Sequence, residues 1–212
     1  PRLLALIGLA QAGLCIAGHE RRLDVAERHL AEELERQILS DGGHSSRNAS
    51  VLVELLLDLL PLKQCFIARG LKPDKALLGA IERITPMLHR LRLGDGQLAR
   101  FNGMGATERD ALAIVLAYDK GASEPDALIS PSGYVRLQRG TTVAVVDAGP
   151  PPTLELAGHA CAGCLSFEIS AGSELLLVNG GAPAPAHERS NAEARGTASH
   201  NTLELNGQSS AR

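Results

Sequence analysis

The stretch DGGHSSRN, at residues 41–48, combines residue types that could hold an anionic ligand. Its two glycines allow a tight turn, and His44, Arg47 and Asn48 follow at the mouth of a predicted helix. An Arg could grip a carboxylate through its charged fork, and an Asn could do so through its amide. The alternative is a plain turn in which Ser46 or Asn48 caps the helix that follows.

A second stretch, GHACAGC at residues 158–164, leads into the strand-like run LSFE. Residues two apart in a strand share a face, so His159 and Cys161 would point together at one ion or substrate. The alternative is a solvent-facing His159 and a core Cys161. A zinc site needs four ligands, so the spacing of Cys161 and Cys164 alone does not define one.

Two further stretches carry polar residues at the edges of apolar runs. Asn179 ends an apolar run and precedes two glycines, which is typical of a turn. His200 lies in RGTASHNT, at residues 195–202, just before another strand-like run. Each of these residues taken alone predicts a structural role.

Composition excludes several classes of function. The chain has 212 residues, with 21 Lys and Arg against 24 Asp and Glu, and this balance argues against a nucleic-acid-binding protein. Three Phe, two Tyr and no Trp make base-stacking platforms implausible. The apolar stretch 3–17 is interrupted by Gln11 and is too short for a membrane span, so it predicts a buried helix. The stretch 3–17 does not resemble a signal peptide. We therefore expect the chain to be part of a longer protein.

Helical patterns fill residues 1–122 and strand patterns fill residues 131–212. Apolar spacing predicts helices at 3–17, 24–39, 50–69, 73–93 and 107–118, with Pro61 bending or ending the third. Cys15 and Cys65 stand singly in these patterns and are predicted to be core residues. A linker is expected at 120–132, and no internal repeat is evident. Short runs at 134–138, 141–147, 165–170, 175–179 and 202–205 predict an antiparallel sheet or sandwich.

Taken in order, four stretches resemble the heparinase II/III family of polysaccharide lyases. They are DGGHSSRN (41–48), GHACAGCLSFEI (158–169), ELLLVNGG (174–181) and RGTASHNTLELNG (195–207), of which the last is the most specific. The resemblance implies an α+β fold, with a partial (α/α) toroid over residues 1–122 and an incomplete antiparallel β-sandwich over 131–212. It also implies that further helices and the remainder of the sandwich lie outside this chain.

Such lyases cleave uronic-acid polysaccharides, such as heparan or alginate, by β-elimination: the uronate carboxylate is neutralised, a base removes the C5 proton, and an acid protonates the leaving oxygen. The resemblance implies a catalytic set of His44, Asn48 and His159. It implies a substrate-binding set of Arg47, Arg195 and Asn102. The implied partner is an acidic polysaccharide, with neither nucleic acid nor a membrane span, and the implied location is the periplasm or the cell exterior.

Two departures from the family pattern leave other functions open. The acid/base Tyr expected in the helical region is missing: residues 98–103 read LARFNG, and neither Tyr118 nor Tyr134 has the expected spacing. The positions of a structural zinc in some members correspond to Cys161, Asn179 and His200, and Asn is a poor substitute for a carboxylate. The alternatives are a non-catalytic glycan-binding or cell-envelope protein that kept the fold, and a purely structural α+β fragment.

Overall fold

The computed structural model of the chain describes residues 2–119, 121, 130–183 and 188–210, without the side chains of residues 154, 159 and 188–191. Five helices come first: α1 (Arg2–Cys15), α2 (Glu20–Gln37), α3 (Ala49–Ala68), α4 (Lys75–Leu91) and α5 (Arg109–Leu116). In the described ranges no helix is both long and apolar enough to cross a bilayer. Most of the predicted linker, at residues 120 and 122–129, lies outside those ranges.

The helices form two layers of antiparallel hairpins. One layer contains α1, α3 and α5, with α3 in the middle, and the other contains α2 and α4. Between the layers, α1 packs on α2 and α3 packs on α4. This layering is that of a partial (α/α) toroid, as expected. Helix α3 is apolar nearly all round because it is covered by three neighbours, and its fully buried side chains include Leu56, Leu59 and Phe66.

Two expectations about helix ends need correction. Pro61 neither ends nor divides α3, which continues to Ala68. The helix predicted over 107–118 begins only at Arg109, because Thr107 does not cap it: the Thr107 Oγ1 accepts a hydrogen bond from the Leu98 amide at 2.8 Å. The Leu98 amide therefore occupies the Thr107 hydroxyl oxygen that a capping residue would use. Asp74 caps α4 as the Pro-Asp start predicts, accepting a hydrogen bond from the Ala76 amide.

A turn motif occurs twice, although no repeat was evident from the sequence. Residues 39–43 (LSDGG) follow α2 and residues 93–97 (LGDGQ) follow α4, 54 positions later when Asp41 and Asp95 are compared. In both turns the Asp side chain accepts an amide two residues on, and the Gly has a φ of +86° or +85°. Each turn is closed by an antiparallel bridge. Helices α2 and α4 are therefore followed by the same kind of hairpin.

The sheet is a four-stranded antiparallel meander. Its strands β1 (Tyr134–Arg139), β2 (Thr142–Asp147), β3 (Phe167–Ala171) and β4 (Glu174–Leu177) lie in sequence order. A short helix, α6 (Glu188–Arg195), follows. One face of the sheet packs against the helices through Val143 and Val145, which are buried. The architecture is therefore α+β, as predicted.

Two of the predicted strand positions are wrong. The segment Leu154–His159 is a 3₁₀ helix, and β3 begins only at Phe167, so His159 and Cys161 do not share a strand face. Residues 202–205 form no strand either, and only the isolated bridge between Leu205 and Gln208 occurs there. Local hydrogen bonds take the place of ladder pairing: the Ala160 amide donates to the Ala157 carbonyl, and the Thr202 amide donates to the His200 carbonyl.

The turn after α2 tests how closely the hairpin is fitted to α4. A Cβ at Gly42 would lie 1.8 Å from the Arg83 carbonyl oxygen, whereas a Cβ at Gly70 would meet nothing within 4 Å, and both residues have positive φ. We expect Gly42→Ala to reduce the free energy of unfolding by about 3 kcal/mol or more, against about 1 kcal/mol for Gly70→Ala. Urea denaturation measures both variants, and equal losses would contradict the close fit.

Candidate functional site

Arg47 is buried at the seam between the helices and the sheet. Its guanidinium forms a salt bridge with Asp147, at the end of β2. Its Nε donates to the Ser132 carbonyl at 2.9 Å and its Nη1 to the Pro150 carbonyl at 2.8 Å. Arg47 also has a φ of +61°, which turns its side chain out of the loop before α3. The Arg47 guanidinium, which was predicted to bind a substrate carboxylate, is therefore paired with the Asp147 carboxylate inside the protein.

Two more polar side chains complete this buried cluster. The Asn102 Nδ2 donates to Asp147 Oδ2 at 2.8 Å and to the Tyr134 hydroxyl at 3.1 Å. The Tyr134 hydroxyl donates to the Arg47 carbonyl, and its ring stacks on Phe101 with centroids 5.5 Å apart. Burial raises the pKa of Tyr134, so its hydroxyl stays protonated. We call Arg47, Asn102, Tyr134 and Asp147 the seam cluster.

His44 is held in one neutral tautomer. The Gln37 amide donates to the Glu33 carboxylate at 2.6 Å, so its Oε1 faces His44 Nε2 at 3.2 Å and accepts that proton. His44 Nδ1 accepts from the Ser46 amide at 3.0 Å and from the Ser46 hydroxyl at 2.7 Å. Burial lowers the pKa of His44 to about 4. Both ring nitrogens are thus engaged, and no proton is available for exchange with a ligand.

Asn48 caps α3, as the plainer interpretation of the motif predicts. Its Oδ1 accepts hydrogen bonds from the Ser50 amide and the Ser50 hydroxyl, both at 2.9 Å. This fixes the orientation of the amide group. Among the hydrogen bonds of the described residues, none uses the Asn48 Nδ2. Asn48 therefore retains a side-chain donor that the fold does not use.

The GHACAGC segment reaches the same seam. The Gly103 amide donates to the Cys161 sulfur, and Asp147 is near enough to Cys161 to influence it electrostatically; burial raises the pKa of Cys161. Arg195, at the end of α6, donates through Nε to the Ala160 carbonyl at 2.9 Å. The side chain of His159 lies outside the described residues. The structure therefore brings Arg47, Asn102 and Cys161 together and places Arg195 behind the segment.

Of the three residues that correspond to a family zinc site, Asn179 lacks the carboxylate that such a site uses. The Asn179 Oδ1 accepts from the Asn201 amide at 2.8 Å, and its Nδ2, which cannot ligate a cation, faces Glu168. Burial lowers the pKa of His200, which leaves its ring neutral. In the part of the chain that is described, no three His, Cys, Asp or Glu side chains are grouped to hold a metal ion. Asn179 serves here to link strands and loops.

Sequence reasoning missed Asp147, Tyr134 and Glu168. Glu168 is fully buried in β3 and accepts the amides of Arg100 and Asn179 at 3.0 and 2.9 Å, which ties the loop after α4 to the sheet. Tyr134 and Asp147 are directly opposite each other in the β1–β2 register. A polar residue at each end of an expected hairpin was the available signal, because opposite residues are close in space.

Comparison with known proteins relates the chain to heparinases. Residues 121–212 match the family described as "Heparinase II/III-like, C-terminal". "FtsZ-localized protein C" of Caulobacter vibrioides (strain NA1000 / CB15N) is 35% identical over 172 residues. This match includes 80% of the present chain but only 30% of the relative, so the chain spans about a third of that protein.

Solved structures extend the likeness to nearly the whole chain. A crystal structure of heparinase III matches 98% of this chain and 39% of its own, with 17% identity and a TM-score of 0.80. The heparan sulfate lyase HepC from Pedobacter heparinus matches 98% of this chain and 37% of its own, with 18% identity and a TM-score of 0.77. At such identities the likeness establishes the fold.

The seam cluster should dominate stability at this junction. Removing one partner of a buried ion pair leaves an uncompensated charge, so we expect Arg47→Met and Asp147→Leu each to cost about 3–5 kcal/mol of unfolding free energy. The double variant Arg47→Met/Asp147→Leu should lose less than the sum. Arg109→Met removes an exposed pair with Asp95 and should cost under about 1 kcal/mol. Additive losses in a double-mutant cycle by urea denaturation would contradict this coupling.

The buried imidazole of His44 should also make stability depend on pH. The folded protein keeps it neutral down to a pKa of about 4, whereas the unfolded chain binds the proton near 6.5. Its stabilising contribution is therefore complete above pH 6.5 and falls by about 3 kcal/mol as the pH approaches 4. Unfolding free energies measured from pH 7 to 4 should fall less steeply in His44→Gln than in the wild type. His29→Gln, on α2, controls for the loss of an imidazole, and parallel curves for wild type and His44→Gln would refute the assignment.

Proposed function

Because residues 121–212 belong to the heparinase II/III-like C-terminal family and the chain has the heparinase III fold, we propose that this protein binds an acidic, uronate-containing polysaccharide at the seam. The proposed mode is non-catalytic: the glycan is held without tyrosine-assisted β-elimination. The binding groups are the free Asn48 Nδ2 and the Nη1 of the exposed Arg195, whose Nε and Nη2 donate to the Ala160 and Ala157 carbonyls. Location in the periplasm or outside the cell is part of the same proposal.

One observation carries the non-catalytic reading, namely that the His44 imidazole and the Arg47 guanidinium of the DGGHSSRN motif are engaged within the fold. His44 has hydrogen bonds at both ring nitrogens, and Arg47 is neutralised by Asp147. The region where the family has an acid/base Tyr contains Phe101, whose side chain is buried. A phenyl ring transfers no proton, so the acid step lacks its usual group.

The proposed binding mode relies on the geometry of Asn48. Its cap bonds hold Oδ1 toward the helix, which leaves Nδ2 as a hydrogen-bond donor in a fixed orientation. It also stands at the N-terminus of α3, where the helix dipole favours an anion. A uronate carboxylate meets both requirements. The name of the Caulobacter relative refers to localization with FtsZ and to no enzymatic activity, which supports the non-catalytic alternative.

A second candidate, β-elimination of a heparan- or alginate-like glycan, is favoured by the placement of the GHACAGC segment. Arg195 and the Gly103 amide hold this segment beside Asn102, so the backbone of His159 lies close to the seam. In this mechanism Asn48 neutralises the uronate carboxylate and the His159 imidazole removes the C5 proton. The same imidazole, now protonated, would return the proton to the leaving glycosidic oxygen.

The experiment separates binding from cleavage. Purified full-length protein is titrated with heparan sulfate, heparin and alginate by calorimetry, and the unsaturated product is followed by absorbance at about 232 nm. We expect binding without an absorbance increase. Asn48→Asp keeps the oxygen that caps α3 but turns the NH2 donor into a carboxylate oxygen, which repels the uronate carboxylate. We expect this variant to bind glycan about 10-fold or more weakly than the wild type and to have the same melting temperature.

The other outcomes are equally informative. An absorbance increase that His159→Ala abolishes, in a protein that still binds glycan, would replace the non-catalytic proposal by the lyase candidate. Binding that Asn48→Asp leaves unchanged would remove the seam as the binding site. Failure to bind any of the three polymers would overturn both candidates.

A further inference from the structure

Cys15 and Cys65, predicted to be separate core residues, are in fact neighbours near the surface. Cys15 ends α1 and is exposed, and Cys65 is half-buried in the last turn of α3. Their side chains are neighbours on two helices that pack against each other, and both thiols are free. The prediction of a core position is therefore wrong for Cys15, which lies on the exposed side of α1 although the preceding Leu14 is buried.

We propose that Cys15 and Cys65 form a reversible intramolecular disulfide that links α1 to α3. The geometry supplies what this needs: two neighbouring thiols, on two helices that pack against each other, with one thiol open to solvent. The oxidant is a low-molecular-weight disulfide of the glutathione class. The site is far in sequence from the seam, so it does not depend on the proposed glycan function.

The chemistry proceeds by thiol–disulfide exchange. The Cys15 thiol loses its proton, and its thiolate attacks one sulfur of the small disulfide, which forms a mixed disulfide and releases one small thiolate. The Cys65 thiolate then attacks the Cys15 sulfur and releases the second small thiolate. Two protein thiols are oxidised, one small disulfide is reduced to two thiols, and the two protons lost by the protein are taken up by the leaving thiolates.

The order of attack follows from the surroundings of the two sulfurs. Burial and the neighbouring Cys15 thiol raise the pKa of Cys65, so it is the less reactive of the two at neutral pH. Cys15 is reached directly by a dissolved oxidant. Cys65 then needs to react only with a sulfur already beside it, which makes the second step effectively intramolecular.

The bond would close a long loop between the first and third helices. Cross-links over long loops restrict the unfolded chain strongly, so the oxidised protein should resist heat better than the reduced protein. We expect oxidation to raise the melting temperature by about 5 °C or more and dithiothreitol to reverse the rise.

Oxidation of the purified full-length protein with oxidised glutathione tests the proposal. We expect a mass lower by about 2 Da and a tryptic cross-link between the peptides containing Cys15 and Cys65. Cys15→Ser and Cys65→Ala should each abolish the cross-link and the thermal shift. Cys164→Ser removes another exposed thiol and should leave both unchanged.

Three results would overturn the proposal. Glutathione retained on Cys15 with no cross-link would show that Cys65 does not attack it. A cross-link confined to Cys161 and Cys164 would move the redox site to the other pair. Full alkylation of both Cys15 and Cys65 after oxidation would exclude the bond, and because this readout uses wild-type protein it does not depend on how the variants fold.

Discussion

The buried ion pair of Arg47 and Asp147 is the constraint on which the junction depends. Two charges taken out of water are costly, and they persist here because every neighbouring group contributes a hydrogen bond: the Ser132 and Pro150 carbonyls on Arg47, and the Asn102 amide on Asp147. A pair satisfied in this way accepts only one geometry. It therefore fixes how the loop before α3 meets the end of β2.

The two repeated Asp-Gly turns both lie where the helices meet the sheet region. The first turn meets the sheet region through Asp41, which accepts the amide and hydroxyl of Ser132. The second meets it at Gly94, where a Cβ would lie 1.8 Å from the Gly172 carbonyl oxygen. Each helical hairpin thus contributes one turn of the same shape, and the sheet packs across both. In this (α/α) architecture, the turns that follow α2 and α4 lie at the end of the helices that the sheet covers.

Local pattern was enough to predict the helices, all four strands of the meander in outline and the change from helix to sheet, because each depends on periodicity within a few residues. It was not enough to predict partners. The salt bridge spans 100 positions in sequence, and nothing near Asp147 distinguishes it from a solvent-exposed strand end. The repeat was missed because only the Asp-Gly core is shared, and the strand assigned to His159 was wrong because apolar and small residues also suit a 3₁₀ turn followed by a loop. Cys15 was misplaced because a helix that is apolar on nearly every side does not show which of its faces is buried.

Motif and function separate at this seam for a physical reason. A residue can serve a ligand only with hydrogen-bonding capacity that the fold has not consumed, and the fold consumes both nitrogens of His44 and the charge of Arg47. Any protein that needs this turn, this helix cap and this ion pair would therefore keep the residues of the DGGHSSRN motif, whether or not it is an enzyme. Functional information lies in what remains, namely the Nδ2 of Asn48 and the polar groups that the GHACAGC segment brings to the seam. A lyase and a binding protein of this fold would differ in those few groups, while the helices, the turns and the buried pair would be the same in both.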